Sequence, residues 1–393
     1  MSYERLIVGV VLGVTAFASP VAAQETRKLS IGVNARVEHD SNVAKSSASQ
    51  AALRGLSRAD TLFTPAATIE FLQPVGRHSV FFNGSAGYSF YEKNDQLNRE
   101  RLDFNGGGNA QLGPCRTTLL AGYSRGINQV DDPLLEVSVE NIQEVKRVNA
   151  EITCSRSTGL GVVGRVSQDW VSNNFDILNE SDYETTSAMA GVTYSRPALG
   201  TLTVFGSFQK TDYPDRLIAS GYEMTSYGLT YDRQLGARIQ GSVTVAFANV
   251  EQLGLAATDG DLQSTTYSGL ISYRASNRLS LQASFDRAVS PSVGIGRTYD
   301  LSTTYRLAGD YRLGSRITLS AGVAQVDRDS EGLLFPGVSL TDSVTKTFFG
   351  SVRYRQSERL SFMLDATREE RTTNAPQFDY TSNRVGVTTE VAF

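Results

Sequence analysis

The sequence predicts an all-β protein, a transmembrane antiparallel up-and-down β-barrel of about 18 strands. Three observations carry that expectation. Apolar and polar residues alternate along most of the chain, and period two is the spacing at which a strand sends side chains to opposite faces. Short turn signals alternate with longer polar loops, recurring about every 40 residues as one hairpin plus its connection requires. Beyond the N-terminal segment, no apolar run is long enough to cross a membrane as a helix.

The N-terminus reads as a signal peptide, residues 1–23. Arg5 precedes an apolar run from Leu6 to Phe17, and Ser19-Pro20-Val21-Ala22-Ala23 supplies small residues before a cut after Ala23. The run is too short to span a bilayer. Residues 24–393 are then expected to form one exported domain, the barrel. Composition suits strands and tight turns: the 393 residues include 35 Gly, 17 Tyr and 18 Phe against 1 Trp and 4 Met. Net charge is −4 with both signs dispersed and no basic block, so no nucleic-acid partner is expected.

The first strand, Ile31–Asp40, puts Val33, Ala35 and Val37 on one face and Asn34, Arg36 and Glu38 on the other. Periplasmic turns follow at Pro74–His78, Leu112–Arg116, Arg156–Leu160, Arg196–Gly200, Leu235–Arg238, Ala275–Arg278, Leu313–Arg316 and Gln356–Arg359. Longer outer loops are read at Ser41–Thr61, Asn128–Asn141, Val250–Leu262 and Asp329–Thr341. Asn105–Asn109, with three glycines between two asparagines, reads as a curving strand rather than a phosphate loop, because no helix follows it. Later, Leu279, Leu281, Ala283 and Phe285 oppose Ser280, Gln282, Ser284 and Asp286, and Tyr299, Leu301, Tyr305 and Leu307 oppose Asp300, Ser302, Thr304 and Arg306. The last strand alternates Val385, Val387, Thr389 and Val391 and ends on Phe393.

Which solvent meets which face follows from cost. A soluble sandwich would have to bury the charged face of every strand, whereas a membrane barrel turns its apolar face to lipid and its polar face to a water-filled lumen. A bacterial outer-membrane location follows, with lipid as the outer partner. The expected lumen-lining residues are Arg101, Asp103, Arg147, Glu151, Arg165, Asp169, Asp300, Arg306, Asp310, Arg353, Arg384 and Glu390. Their mixed signs suit neutral or weakly charged hydrophilic solutes, since an ion-selective pore shows rings of one sign. Opposite charges pairing across neighbouring strands to hold the wall explain them equally well.

Catalysis is not expected, and neither is a cofactor or metal. The two histidines fall at opposite membrane ends, His39 with lipid-facing parity and His78 beside a periplasmic turn. The acidic pairs Asp131-Asp132, Asp259 with Asp261 and Asp327 with Asp329 read as solvated loop residues rather than calcium ligands. Inward aromatic rings, on which a sugar would stack, are few: Phe81, Tyr91, Phe205 and Phe349.

Ile31–Val43, an amphipathic strand running into Asp40-Ser41-Asn42-Val43, resembles the opening of the putative beta-barrel porin 2 family. The resemblance implies an outer-membrane barrel that carries exopolysaccharide across the membrane, served by a separate periplasmic export partner. The closing strand is similar to the C-terminal signal of bacterial outer-membrane proteins, which implies that Phe393 is read by the barrel assembly machinery. A porin-like conduit for exopolysaccharide is therefore the expected function, with a general diffusion porin next and a structural or adhesive barrel third. Finally, Cys115 and Cys154 fall opposite each other at the periplasmic rim if their hairpin folds about the middle of Asn128–Asn141. In an oxidising compartment that placement predicts a disulfide.

Overall fold

A computed structural model describes residues 27–132, 137–155, 158–174, 180–216, 220–254, 262–292, 297–333 and 342–393. The signal peptide read at residues 1–23 and the Asp259–Asp261 pair lie outside them. Eighteen strands follow one another: β1 (Lys28–Asp40), β2 (Asp60–Val75), β3 (His78–Tyr91), β4 (Arg99–Leu112), β5 (Cys115–Asp132) and β6 (Val137–Cys154). Next come β7 (Gly159–Asn173), β8 (Tyr183–Arg196), β9 (Gly200–Asp212), β10 (Gly221–Leu235), β11 (Ile239–Leu253) and β12 (Leu262–Arg274). The chain ends with β13 (Leu279–Pro291), β14 (Arg297–Leu313), β15 (Ile317–Leu333), β16 (Asp342–Arg355), β17 (Leu360–Thr373) and β18 (Tyr380–Ala392).

Each strand pairs antiparallel with its sequence neighbours, and β1 pairs with β18 from Gly32 opposite Ala392 to Asp40 opposite Arg384. The sheet is thereby closed into a barrel, with the first and last strands paired instead of left as edges. Alternation decides which way each strand faces. Val33, Val37, Val385 and Val387 are exposed on the outer surface, whereas Arg36 and Arg384 sit on the opposite parity. The apolar belt continues through Phe82, Val148, Val204, Phe247, Leu307 and Phe348. The short turns use glycine in the left-handed region, as at Gly113 (φ 60°) and Gly314 (φ 75°), a conformation that costs glycine nothing.

Two expectations change. Asn128–Asn141 is mostly strand, since β5 and β6 stay paired as far as Asp132 opposite Val137. Val130, Val137 and Val139 keep the alternation going through a stretch whose polarity reads as loop. Asp131 and Asp132 therefore end a strand, and Asp327 and Asp329 lie within β15. The first outer loop is also not structureless. It holds a short helix, α1 (Ala48–Leu53), whose first turn is capped by Ser47 Oγ accepting from the N–H of Gln50 at 3.3 Å.

Phe393 donates its backbone N–H to the carbonyl of Ile31 at 2.8 Å, so the last residue belongs to the β1–β18 seam, with its ring exposed.

Cys115 and Cys154 are direct register partners on the outward parity of β5 and β6, and a disulfide joins them. The ladders to β4 and β7 hold the same two strand ends, at Leu112 opposite Cys115 and Cys154 opposite Val162. A C115S/C154S variant is therefore expected to keep the barrel and lose no more than roughly 2 kcal/mol, the bottom of the usual range for a disulfide. The measurement is the temperature at which unheated protein loses its folded mobility on a gel. Free thiols at both positions in non-reducing mass spectrometry would contradict the bridge.

Candidate functional site: the lumen and its outer mouth

Register puts all twelve expected lining residues on the lumen parity. Arg101 and Asp103 lie opposite Gly87 and Ser85, and Asp103 accepts from Asn105 Nδ2 at 2.7 Å. Most of the other charges meet an opposite charge on the adjacent strand or on the strand beyond it. Arg147 Nε donates to Asp169 at 2.7 Å, Arg165 Nε to Glu151 at 3.0 Å, and Arg353 Nη1 to Glu390 at 3.0 Å. Arg36 was not among the twelve, yet it is the densest junction: its fork reaches both oxygens of Asp365 at 2.7 and 2.8 Å and also holds Glu38. Fork-to-carboxylate pairing of this kind is charge-assisted and fixes geometry as well as energy. Asp169 and Asp300 are almost fully buried, so they serve the wall rather than open water.

The inward aromatics lie against glycines instead of standing into the lumen. A side chain at Gly107 would collide with the ring of Phe81, one at Gly228 with Phe205, and one at Gly322 with Phe349. Arg306 covers Phe349, its guanidinium carbon 4.7 Å from the ring centre. Phe205 and Tyr91 are buried. These rings fill the wall.

Two elements close on the outer mouth, and sequence alone showed neither. The first is the β1–β2 loop around α1. Ala44, Ala51 and Leu56 pack on Leu62, Tyr91 and Leu97 from the lumen side. Lys45 Nζ reaches the Glu369 carboxylate of β17 at 2.9 and 3.0 Å, and the same carboxylate takes Arg384 Nη2 at 3.4 Å. Asn42 Nδ2 donates to the carbonyls of Ser46 and Thr381 at 2.9 and 3.2 Å. The loop is thus tied across the β17–β18–β1 seam instead of standing out from it.

The second element is the outer end of β13 and β14. β12 and β13 pair only between Tyr267–Arg274 and Ser280–Arg287, whereas β13 stays paired with β14 out to Pro291 opposite Tyr299. Past Arg287 the β13–β14 end leaves β12 and tucks inside the barrel. Its outward-parity residues Val289, Tyr299 and Leu301 then pack on the lumen face of β10 and β11, against Tyr222, Met224, Ala248 and Val250. The rings of Tyr222 and Tyr299 lie 5.4 Å apart although their strands are not neighbours. The tip is pinned as well: Tyr213 Oη donates to the carbonyls of Thr298 at 2.6 Å and Ser292 at 3.1 Å, and Gln252 Nε2 donates to Thr298 Oγ1 at 3.0 Å. Burial pushes the Tyr213 phenol well above its ordinary range, which keeps it a donor. Tyr299 and Leu301 read from sequence as lipid-facing. They are buried, because the strand that carries them moves inside while its parity stays the same.

His39 faces outward opposite Val385, and His78 lies at the periplasmic end, where its Nδ1 accepts from the N–H of Gln111 at 3.3 Å. Among the described residues no group of three or more His, Cys, Asp or Glu is placed to hold a metal ion.

The model of one family, described as putative beta-barrel porin 2, matches residues 29–393, and the chain belongs to that family. Among solved structures it is similar to OccK2 (OpdF) of Pseudomonas aeruginosa, with 14% identity, a TM-score of 0.49, and 93% of this chain and 98% of that one covered. It is also similar to a BenF-like porin from Pseudomonas fluorescens Pf-5, with 13% identity, a TM-score of 0.49 and coverage of 94% and 99%. OccAB3 of Acinetobacter baumannii gives 10% identity, a TM-score of 0.48 and coverage of 93% and 99%. No curated protein matches the sequence. The protein is a porin-like barrel of the bacterial outer membrane, in a family of channel proteins rather than enzymes.

If the tucked tip narrows the lumen, loosening it should widen the conducting path. Tyr299→Ala removes a buried ring, a change worth on the order of 3–5 kcal/mol in a packed site, and is expected to raise single-channel conductance and its fluctuations. Tyr213→Phe removes only the hydrogen bonds, about 1–3 kcal/mol, and should do so more weakly. Unchanged conductance in Tyr299→Ala would mean that the tip does not narrow the path.

Proposed function

We propose that this barrel is a passive conduit for hydrophilic solutes across the outer membrane, with small solutes the cargo its lining suits best. The carrying observation is the pairing on the lumen face. Arg147 with Asp169 and Arg165 with Glu151 pair across adjacent strands, and Arg36 with Asp365 and Arg353 with Glu390 across an intervening one. A wall balanced in this way presents hydrogen-bonding groups to a passing solute without a ring of one sign along its length. The reading includes export through the cleaved 1–23 segment and insertion by the barrel assembly machinery at Phe393.

Passage of an exopolysaccharide is the second reading, and one observation favours it. The lumen parity of β12 to β15 is rich in hydroxyl and amide groups, among them Ser268 and Ser272, Ser280 and Gln282, Ser302 and Thr304, and Thr318 and Ser320. Such a track can exchange hydrogen bonds with a sliding carbohydrate chain. The flat, wall-filling inward rings count against it, because a sugar conduit gains from rings it can stack on.

Purified protein in a planar bilayer is expected to conduct both ions of potassium chloride with weak selectivity. Strong preference for one sign would sink the balanced-wall reading, and no conductance at all would favour a structural barrel closed by its loops. Deleting the gene in a polymer-secreting host separates the two cargoes: polymer trapped in the periplasm with normal small-solute uptake supports the second reading, and the reverse supports the first.

A further inference from the structure

At the periplasmic rim the arginines follow a different rule from those in the wall. Arg274 and Arg278 bracket the β12–β13 turn, Arg312 and Arg316 the β14–β15 turn, and Arg355 and Arg359 the β16–β17 turn. The turns are joined at the backbone. The N–H of Arg274 donates to the carbonyl of Arg238 at 2.7 Å, that of Arg312 to Arg278 at 2.8 Å, and that of Arg355 to Arg316 at 2.8 Å. An unbroken line of arginines, Arg238 to Arg359, therefore runs around the rim from β11 to β17. All are exposed. None of them forms an ion pair among the described residues, and the single carboxylate within these turns is Glu358.

Like charges on adjacent strands destabilise a sheet. In the wall, by contrast, carboxylates stand beside Arg36, Arg147, Arg165 and Arg353. At the rim the cost stands uncompensated by the chain itself. Parity decides where the charge is presented. Arg274, Arg312 and Arg355 lie opposite Ser280, Thr318 and Ser361 on the lumen side, while the alternate residues Tyr273, Tyr311 and Tyr354 face lipid. Lipid-side arginines look different here: Arg196 sits over the ring of Tyr194, 5.4 Å from its centre, and Arg233 Nη1 donates to Tyr231 Oη at 3.4 Å.

We propose that this arc is a binding site for a polyanionic solute at the periplasmic opening of the lumen. The arginine fork matches carboxylate, sulfate or phosphate oxygens. With neighbouring strands ~4.8 Å apart, seven strands span roughly 30 Å, which fits a chain of acidic units better than a single small anion. A focused positive field at a pore opening also raises the local concentration of anions there. The inference rests on the channel reading and adds to it a side and a sign.

Oligogalacturonate supplies a hydrophilic chain with a carboxylate on each unit. Inserted in one orientation in a neutral-lipid planar bilayer, the wild type is expected to show oligogalacturonate blocks at least about tenfold more often when the chain is added on the periplasmic side, fading as salt rises. Dextran of the same length should not block in this way. The triple variant R274Q/R312Q/R355Q should lose the asymmetry, R278Q/R316Q/R359Q should do likewise, and the lipid-side R196Q/R233Q should keep it; folding of each is checked by unheated gel mobility. Equal block from both sides, equal block by dextran, or an unaffected triple variant overturns the proposal. So does loss of the block when phosphatidylglycerol is added, which would assign the arc to lipid headgroups. If no protein conducts, the channel reading fails by itself. Binding of oligogalacturonate to the detergent-solubilised barrel, wild type against the triple variant, then decides the arc: equal or absent binding overturns it.

Discussion

Everything in this molecule depends on one requirement: within hydrocarbon, each backbone N–H and C=O must find its partner inside the protein. A sheet meets it only by closing on itself, which makes the β1–β18 ladder the condition for all the others. Closure forces the alternate faces of every strand into different solvents, so Val33, Val37, Val385 and Val387 meet lipid while Arg36 and Arg384 meet the lumen. The seam runs on to Phe393, whose N–H is bonded to the carbonyl of Ile31.

Over the outer half of the β12–β13 contact the ladder is let go, and what replaces it is informative. Beyond Tyr267 and Arg287 no strand pairing joins the two. The freed β13–β14 end carries an apolar face made for lipid, and it buries that face on Tyr222, Met224 and Val250 instead. Fully burying such a side chain is worth about 1.5–3 kcal/mol, so a few of them offset several lost ladder bonds at about 1 kcal/mol each. The barrel gives up wall and gains an element inside its own mouth. The β1–β2 loop reaches a similar result by polar means, through Lys45 on Glu369 and Asn42 on Thr381.

How much of this the sequence reveals depends on what a period of two can say. It tells which residues share a face, and it told that correctly even for Tyr299 and Leu301. It cannot tell what lies against that face, because lipid and the inner wall of β10 both ask for apolar side chains. The strand count, the closing strand and the pairing of Cys115 with Cys154 were legible because each follows from parity and turn spacing. The polar run Asn128–Asn141 misled because its composition reads as loop, whereas β5 and β6 stay paired as far as Asp132 opposite Val137. The folding-in of α1 and of the β13–β14 tip left no periodic trace, since both rest on contacts between residues far apart in the chain, such as Lys45 with Glu369 and Tyr213 with Thr298.

The same chain sets its arginines in three surroundings. In the wall, Arg36 and Arg147 lie beside carboxylates, and their charge is spent on holding strands together. At the lipid-side rim, Arg196 and Arg233 lie by tyrosines of the aromatic belt, where a long side chain can keep its head in water and its stem on apolar rings. On the lumen-side rim, Arg274, Arg278, Arg312, Arg316, Arg355 and Arg359 have neither kind of partner among the described residues. Net charge hides this, because a chain at −4 looks weakly acidic while the turns from β11 to β17 carry a row of arginines with Glu358 as their single carboxylate. For a conduit whose wall is balanced, the sign of an opening matters more than the sum, since a solute meets the opening first and the wall only afterwards.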